Sequence, residues 1–406
     1  MKTHMKPYFQ TLKGGLFEAI NKADVGDNAA KMKEQGVAML SWADPFFPDD
    51  KLDEDVKATL VSALMDGSAQ HYTAPIGDEN LKSEIAEKLL EDNELRVDPK
   101  RNIIITPGSD AALFYSLVPF IEPGDEVMIV DPSYPNNFQT VEILGGIPIN
   151  VPVRAENEFK LEIKEFEKRI TPKTKIVILT NPNNPTTVVY SREELKSLAD
   201  FAQAHDLIVV VDQAFEDIIF DGKEMVTLAS LDGMFERTIT IFSISKGFGL
   251  SGLRVGYIVA PDTLIDAMFA SAVSVIGATN TASQRAAITA LGKRRILLKE
   301  YTEIFDRRRK MVYDALHNIP GVKIQMPQSA FLSWIDISAL GSSDEIVEYL
   351  VDNAKVFVNS GSCYGPLGEG YIRLVQGCYK DDSKIADAIL RIRAALLKIS
   401  QEKGLK

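Results

Sequence analysis

Lys246 is the residue whose neighbours in the sequence most clearly indicate chemistry. It follows an apolar, β-branched run over residues 239–244 that predicts a buried strand, and a second run over residues 255–259 predicts a returning strand. The turn between them contains Gly247, Gly249 and Gly252, which keep the backbone open to close approach. A lysine shielded from water at such a turn would have its ammonium form disfavoured. Its amine could then act as a nucleophile and form a Schiff base with an aldehyde.

The same turn offers groups that could hold a phosphate. Ser243 and Ser245 contribute hydroxyls, and Arg254 contributes a planar guanidinium that matches a phosphate dianion. The pattern Ser-x-Ser-Lys is by itself equally compatible with a solvated lysine in a polar turn. The glycines and Arg254 at this spacing favour the reactive amine.

A second candidate phosphate site lies at the start of a predicted helix. Residues 102–106 form a short apolar run, and PGSDAAL over residues 107–113 then opens the helix. Free N–H groups at a helix start attract anions, so the amides of Ser109 and Asp110 could contact a phosphate. The alternative is that one of these side chains only caps the helix. In a phosphate site, the Asp110 carboxylate is expected to turn away, so that only the backbone amide of Asp110 contacts the phosphate.

Three further side chains follow predicted strands, at the edge where α/β sheets bind ligands. Tyr134 could stack on a flat heterocycle, although a loop aromatic fills a core at least as often. Asn184 lies in NPNNPT, residues 181–186, where two prolines present its side chain rigidly as a hydrogen-bond donor. Asp212 ends the apolar run 207–211, and a carboxylate there is costly unless it is paired.

Arg373 interrupts the apolar run 370–375 near the C-terminus. A buried guanidinium binds a planar anion, and a structural salt bridge is the alternative to a ligand carboxylate. Trp42 lies in an unusually aromatic loop, residues 41–48, and could either pack or line a pocket. Tyr72, taken alone, indicates nothing.

The composition of the chain bears on several classes of function. At 406 residues, with 45% hydrophobic and 25% charged residues, the chain can bury a large core, most simply in two domains. Its net charge of −12 provides no broad basic surface for nucleic acid, and the cluster Arg307, Arg308 and Arg309 is expected to form a solvated helix face. Two cysteines and four scattered histidines indicate a reducing cytoplasm and no metal site. Neither a signal peptide nor a membrane-spanning segment is expected.

From about residue 37 to residue 400, the motifs occur in an order that resembles the class I aminotransferases, which are pyridoxal-phosphate enzymes of fold type I. The resemblance implies that Lys246 holds pyridoxal 5'-phosphate and that Asp212 keeps its ring nitrogen protonated. The predicted cofactor-binding residues are Tyr72, Ser109, Asp110, Tyr134, Asn184, Asp212, Ser243, Ser245, Lys246 and Arg254. The predicted substrate-binding residues are Trp42, Ala43, Asn184 and Arg373.

The resemblance also implies how the substrate and a partner subunit are contacted. Arg373 would clamp the substrate α-carboxylate, and Tyr72 would cross the interface of a homodimer to reach the neighbouring cofactor phosphate. Three residues depart from the family pattern. Ala43 stands in a loop that often contains glycine, Thr187 stands where glycine is usual, and Phe215 stands where a tyrosine is usual.

Alternating strand and helix patterns predict an α/β fold. By resemblance it would be the fold type I architecture, with a mainly parallel seven-stranded sheet flanked by helices and a smaller α/β domain. The large cofactor-binding domain is expected over residues 48–290, and the small domain over residues 1–47 and 291–406. Helical periodicity is mixed over residues 14–36 and continuous over residues 280–317.

The implied reaction is the reversible transfer of an amino group between an L-α-amino acid and a 2-oxo acid. Lys246 would move the proton between the substrate Cα and the cofactor. A lyase that performs β-elimination in the same site is an alternative, and so is a cofactor-binding protein without turnover. Intact Lys246, Asp212 and Arg373 argue against the latter. The sequence leaves acidic, aromatic and aliphatic amino donors open.

Overall fold

The computed structural model describes Lys6, residues 35–275 and residues 277–405. The strands of this part of the chain fall into one large sheet, one small sheet and one isolated pair. In chain order they are β1 (Ala38–Met39), β2 (Ile103–Thr106), β3 (Glu126–Asp131), β4 (Ile147–Pro152), β5 (Thr174–Thr180), β6 (Ile208–Asp212), β7 (Thr238–Ser243), β8 (Gly256–Val259), β9 (Lys323–Ile324), β10 (Leu332–Asp336), β11 (Val356–Phe357), β12 (Asn359–Ser360) and β13 (Tyr371–Val375).

The large sheet has seven strands in the order β2–β8–β7–β6–β5–β3–β4. Every neighbouring pair is parallel except those of β8, which runs antiparallel to β2 and to β7. Each residue of β7 is buried, so both faces of the sheet are covered there, as parallel sheets require. The predicted α/β class and the mainly parallel, seven-stranded sheet are confirmed.

The small sheet is antiparallel, in the order β12–β13–β10–β9. Beside it, β1 pairs in parallel with β11, with Ala38 opposite Val356, so the start of the described chain joins its C-terminal third. One continuous hydrophobic core lies under this region, and it includes Phe305, Leu350 and Ile392. The small sheet therefore has a core of its own beside the large sheet.

Helices connect and cover these strands. They are α1 (Glu54–Met65), α2 (Glu79–Asp92), α3 (Ser109–Leu117), α4 (Pro135–Leu144), α5 (Ile163–Glu167), α6 (Arg192–Ala204), α7 (Ile244–Gly247), α8 (Asp262–Val275), α9 (Thr281–Gly292), α10 (Arg294–Leu316), α11 (Ser343–Ala354) and α12 (Asp382–Glu402). The continuous helix predicted over residues 280–317 is wrong in one respect, because α9 ends at Gly292 and α10 begins at Arg294. Lys293 breaks the helical pattern between them.

The helical periodicity over residues 14–36 lies almost entirely outside the described residues. Within the described part of the chain, no helix is both long enough and apolar enough to cross a membrane.

The arginine cluster in α10 differs from its prediction. Arg307 is exposed as expected, but Arg308 and Arg309 are buried. Arg308 donates to Asp382 at 2.7 Å and to the carbonyl oxygens of Gln376 and Cys378 at 3.2 and 2.8 Å. The local charge pattern gave no sign of these partners because they lie about seventy residues away in the sequence.

We expect Arg308→Ala to lower the free energy of unfolding by about 3–5 kcal/mol, because it leaves buried carbonyl oxygens without their donor and leaves Asp382 with only the exposed Arg307 as a partner among the described residues. Arg307→Ala is the matched control. Its side chain is 57% exposed, so the expected change is within about 0.5 kcal/mol. Urea unfolding followed by circular dichroism measures both, and similar values for the two variants would contradict the structural role of Arg308.

Candidate functional site

Lys246 lies in the one-turn helix α7, directly after β7 ends. The strand predicted to reach Ile244 stops at Ser243, which caps α7 by accepting from the backbone N–H of Ser245 at 3.2 Å. The Lys246 Nζ donates to the carbonyl oxygen of Ala43 and lies 5.9 Å from the ring centroid of Phe215. The helical turn therefore directs the lysine toward the loop that follows β1.

Arg254 lies close against the start of α3. A Cβ built on Gly108 would come within 2.8 Å of the Arg254 Cζ, so only glycine fits beside the guanidinium. A Cβ on Gly256 would lie 2.8 Å from the carbonyl carbon of Gly108 and 2.9 Å from the amide nitrogen of Ser109. These two glycines allow β8 and Arg254 to approach the first N–H groups of α3.

The start of α3 carries no side-chain cap. Gly108 is the N-cap residue, so neither Ser109 nor Asp110 performs the capping role that was the alternative reading. The Asp110 carboxylate instead accepts from the Tyr134 hydroxyl at 3.2 Å and from the Asn136 Nδ2 at 2.7 Å. The backbone N–H groups of the first turn of α3 thus donate to no capping side chain, which suits an anion site.

Asp212 is a buried carboxylate at the end of β6. It accepts from the backbone N–H of Ala214 at 3.0 Å. Burial raises the pKa of Asp212 from its usual 3.8 to about 6, and the charge of Asp110 adds to that rise, whereas Ala214 and Lys246 lower it. A cation placed against Asp212 would remove the cost of its charge.

One cavity brings most of the predicted site residues together. Its lining consists of Ala43, Ser109, Asp110, Tyr134, Asn184, Asp212, Ala214, Phe215, Ser243, Ser245, Lys246 and Arg254. Ala214 was missed as a lining residue, although its position two residues after Asp212 offered a signal. Phe215 was noted only as a departure from the family pattern, and it lies 3% exposed beside the lysine.

Arg373 lies next to this cavity without lining it. The fully buried guanidinium donates to the Oδ1 of Asn184 at 3.1 Å, to the Oδ1 of Asn359 at 2.8 Å and to the carbonyl oxygen of Ser41 at 2.9 Å. Asn184 is thus shared between the cavity and the arginine. This bond joins the small sheet to the loop that follows β5.

Two predicted residues lie away from the cavity. Trp42 packs against Phe47, with ring centroids 4.6 Å apart, and does not line the cavity found among the described residues. Tyr72 is 91% exposed and does not line it either. Among the described residues there is also no cluster of His, Cys, Asp or Glu that could hold a metal ion.

The residues present fit pyridoxal phosphate. The uncapped turn of α3 and Arg254 suit its phosphate, and the buried Ser245 hydroxyl has no partner within the described structure. The raised pKa of Asp212 marks a carboxylate that a protonated ring nitrogen would stabilise. The site therefore offers an anion-binding end, a carboxylate and an amine around one cavity.

Comparison with known proteins agrees with this geometry. Residues 38–392 match the family described as "Aminotransferase class I and II". The chain is 37% identical to aromatic-amino-acid aminotransferase 2 of Thermococcus litoralis, over 84% of this chain and 87% of that protein. It is 38% identical to the aspartate aminotransferase of Pyrococcus abyssi, over 86% of this chain and 88% of that protein.

Solved structures give the same result. The aromatic aminotransferase of Pyrococcus horikoshii superposes with a TM-score of 0.85 at 33% identity, covering 93% of this chain and 100% of that one. The Thermus thermophilus aspartate aminotransferase with maleate superposes with a TM-score of 0.86 at 28% identity, covering 96% and 99%. The chain belongs to the class I and II aminotransferases and is a pyridoxal-phosphate-dependent enzyme.

Proposed function

We propose that Lys246 is the catalytic amine of this aminotransferase and that the cavity around it is the active site. One observation carries the proposal. Lys246, the buried carboxylate of Asp212 and the anion-binding end formed by Arg254 and α3 line a single cavity. The bound cofactor supplies an aldehyde that takes up the amino group and a ring that withdraws electrons from the substrate Cα.

The residues of the chain divide the remaining work. The phosphate would be held by Arg254, by the hydroxyls of Ser243 and Ser245 and by the amides of Ser109 and Asp110. Tyr134 would stack on the ring, Asn184 would donate a hydrogen bond to the ring oxygen, and Asp212 would pair with the ring nitrogen. The Lys246 Nζ would accept the proton from the substrate Cα and later release it, as a positioned general base and acid does.

Substrate contacts follow from the position of Arg373. Its bond to Asn184 brings a buried cation to the edge of the cavity, where it would bind the α-carboxylate of an amino acid or a 2-oxo acid. Ala43 borders the same side, since its carbonyl oxygen accepts from Lys246. Trp42 is proposed to line the substrate entrance from its place beside Ala43.

Only the names of the relatives indicate which amino-acid side chains the enzyme accepts in its donor. Two relatives of nearly equal identity carry different names, one for aromatic amino acids and one for aspartate. A donor panel should therefore begin with an aromatic amino acid and aspartate. Omission of the acceptor 2-oxo acid should stop sustained turnover, whereas continued 2-oxo acid formation without an acceptor would instead indicate elimination.

The large domain is proposed to span residues 48–290, with residues 1–47 and 291–406 forming the small domain. All seven strands of the large sheet fall inside the first range, and the small sheet falls inside the last. A cytoplasmic location is proposed from the cysteine usage alone.

Two substitutions should separate the roles of Lys246 and Arg373. Lys246→Ala should abolish turnover of an amino acid and of the amine that lacks its carboxylate. Arg373→Ala should lower kcat/KM for the amino acid alone, by roughly tenfold to 100-fold, because a charge-assisted contact of about 1.5–3 kcal/mol is lost. Steady-state kinetics measures both. Equal losses on the two substrates in Arg373→Ala would make Arg373 structural.

Asp212→Asn should stabilise the cofactor-free protein at pH 8, and it should abolish the activity of the cofactor-loaded enzyme. The folded pKa of Asp212 is about 6 against a usual 3.8, so the folded state is penalised as pH rises through this interval. A difference of roughly 2 pKa units corresponds to about 3 kcal/mol at most. Urea unfolding should show this gain at pH 8 and its decline toward pH 4. The exposed control Asp232→Asn should show neither, and a destabilised Asp212→Asn protein at pH 8 would contradict the argument.

We also propose a homodimer in which Tyr72 reaches the neighbouring active site. Leu64, Met65 and Tyr72 are 68%, 83% and 91% exposed, and burying such apolar side chains against a second copy would be favourable. Sedimentation at micromolar concentration should give a dimer, because obligate interfaces often bury about 2,000 Å² or more. Tyr72→Phe should remain dimeric but bind the cofactor more weakly. A fully active monomer would refute the proposal.

A further inference from the structure

Gly247, the residue after Lys246, is packed against a side chain that has no part in the proposed chemistry. A Cβ built on Gly247 would lie 2.6 Å from the Cβ and 2.7 Å from the Cγ of Asp217. Atoms do not approach so closely, and the Asp217 Cβ is held to the backbone and cannot swing away. The Asp217 side chain therefore lies directly on the backbone of α7.

The conformation of Gly247 does not itself require glycine. It is a helical residue and is absent from the residues with positive φ. Alanine at such a position ordinarily stabilises a protein, because it restricts the unfolded chain. Any damage from a methyl group at Gly247 should therefore come from its contact with Asp217.

The loop that carries Asp217 is firmly anchored. Glu216, its neighbour, accepts from the Lys88 Nζ, from the Asn93 Nδ2 at 2.7 Å and from the Gln213 Nε2 at 3.1 Å. The side chains of Lys88 and Glu216 are only 4% and 7% exposed, so breaking their ion pair would leave a buried charge. The hydrogen bonds of Glu216 thus hold the backbone next to Asp217 in place against α7.

This support also reaches the strand that leads into α7. The Lys88 ammonium lies 5.1 Å from the ring centroid of Phe242, the residue before the Ser243 cap. The end of β7 is therefore contacted by α2, and the backbone of α7 is contacted by the 213–217 loop, which is tied to the same helix. Lys246 projects from α7 toward Ala43.

We propose that Asp217 is a positioning residue, whose side chain supports the backbone of Gly247 and thereby sets the place of the Lys246 amine. The inference rests on the proposed role of Lys246. The support is a matter of shape. Misplacement of a catalytic group by about 1 Å can cost roughly 100-fold in rate. A small backbone shift at Gly247 should therefore lower the rate measurably.

Asparagine has nearly the shape of aspartate, and the charges around Asp217 reduce the change in charge that the substitution makes. Burial raises the pKa of Asp217 to about 7, with Glu216 and Asp92 adding to the rise and Lys88 opposing it. The carboxyl is therefore partly neutral near pH 7. If shape is what matters, Asp217→Asn should leave the placement of Lys246 unchanged.

The test is a cycle of Gly247→Ala, Asp217→Gly and the double variant, each purified with its cofactor. We expect Gly247→Ala to lower kcat by roughly tenfold to 100-fold and to shift the midpoint of the pH titration of the cofactor's visible absorbance. In the Asp217→Gly background, which lacks the Cβ as well as the carboxyl group, the same added methyl group should change kcat by less than about twofold and leave the midpoint in place. The matched control is Gly252→Ala in the following turn, where a Cβ meets nothing within 4 Å and no change is expected.

Equal effects of Gly247→Ala in both backgrounds, or no effect in either, would overturn the proposal. A lowered kcat or a shifted absorbance midpoint in Asp217→Asn would also overturn it. Urea unfolding of the cofactor-free variants reports the same steric coupling without chemistry. If that coupling is present but neither the absorbance nor kcat responds, Asp217 does not position the amine. If borohydride reduction attaches the cofactor to another lysine, the proposed function has failed, which is a distinct result.

Discussion

The buried carboxylate of Asp212 is the constraint on which the rest of the site depends. It lies at the end of an apolar strand with a pKa raised to about 6, and Ala214 offers it one backbone N–H. Burial of such a charge weakens the cofactor-free fold, and a further cation facing it would offset that cost. In the proposed site, this charge would face the protonated ring nitrogen of pyridoxal phosphate, and the anion-binding end at Arg254 and α3 would take the phosphate of the same molecule.

The parallel sheet explains why residues so distant in sequence meet at this carboxylate. Thr180 at the end of β5 lies opposite Asp212, and Asp212 lies opposite Ile241 of β7. Three successive strands thus end at one edge, and the chain beyond each contributes to the cavity. The antiparallel strand β8 begins at that edge, and Arg254 lies two residues before it. Glycines at 108 and 256 let it approach α3 closely enough to share an anion with the helix start.

Strand ends and polar residues after apolar runs could be predicted from the sequence, because burial and periodicity are local signals. The one-turn helix α7 could not, since the β-branched Ile244 continues the apolar pattern although Ser243 already caps a helix. The partners of Asp110 and Arg308 were also hidden. Tyr134 is 24 residues from Asp110 and Cys378 is 70 residues from Arg308, and no local charge pattern encodes such contacts. Local chemistry thus indicated which groups gather at the site, whereas tertiary packing decided how each is held.

The 212–217 loop gives the amine and the carboxylate a common support. Asp212 and Phe215 of this loop line the cavity. Glu216 accepts from Lys88 of α2, and the Asp217 side chain lies against Gly247 of α7. In the proposed site, one loop thus carries the carboxylate and supports the backbone beneath the amine. A fixed separation between Asp212 and Lys246 would then favour the proposed reaction, because misplacement of a catalytic group by about 1 Å can cost roughly 100-fold in rate.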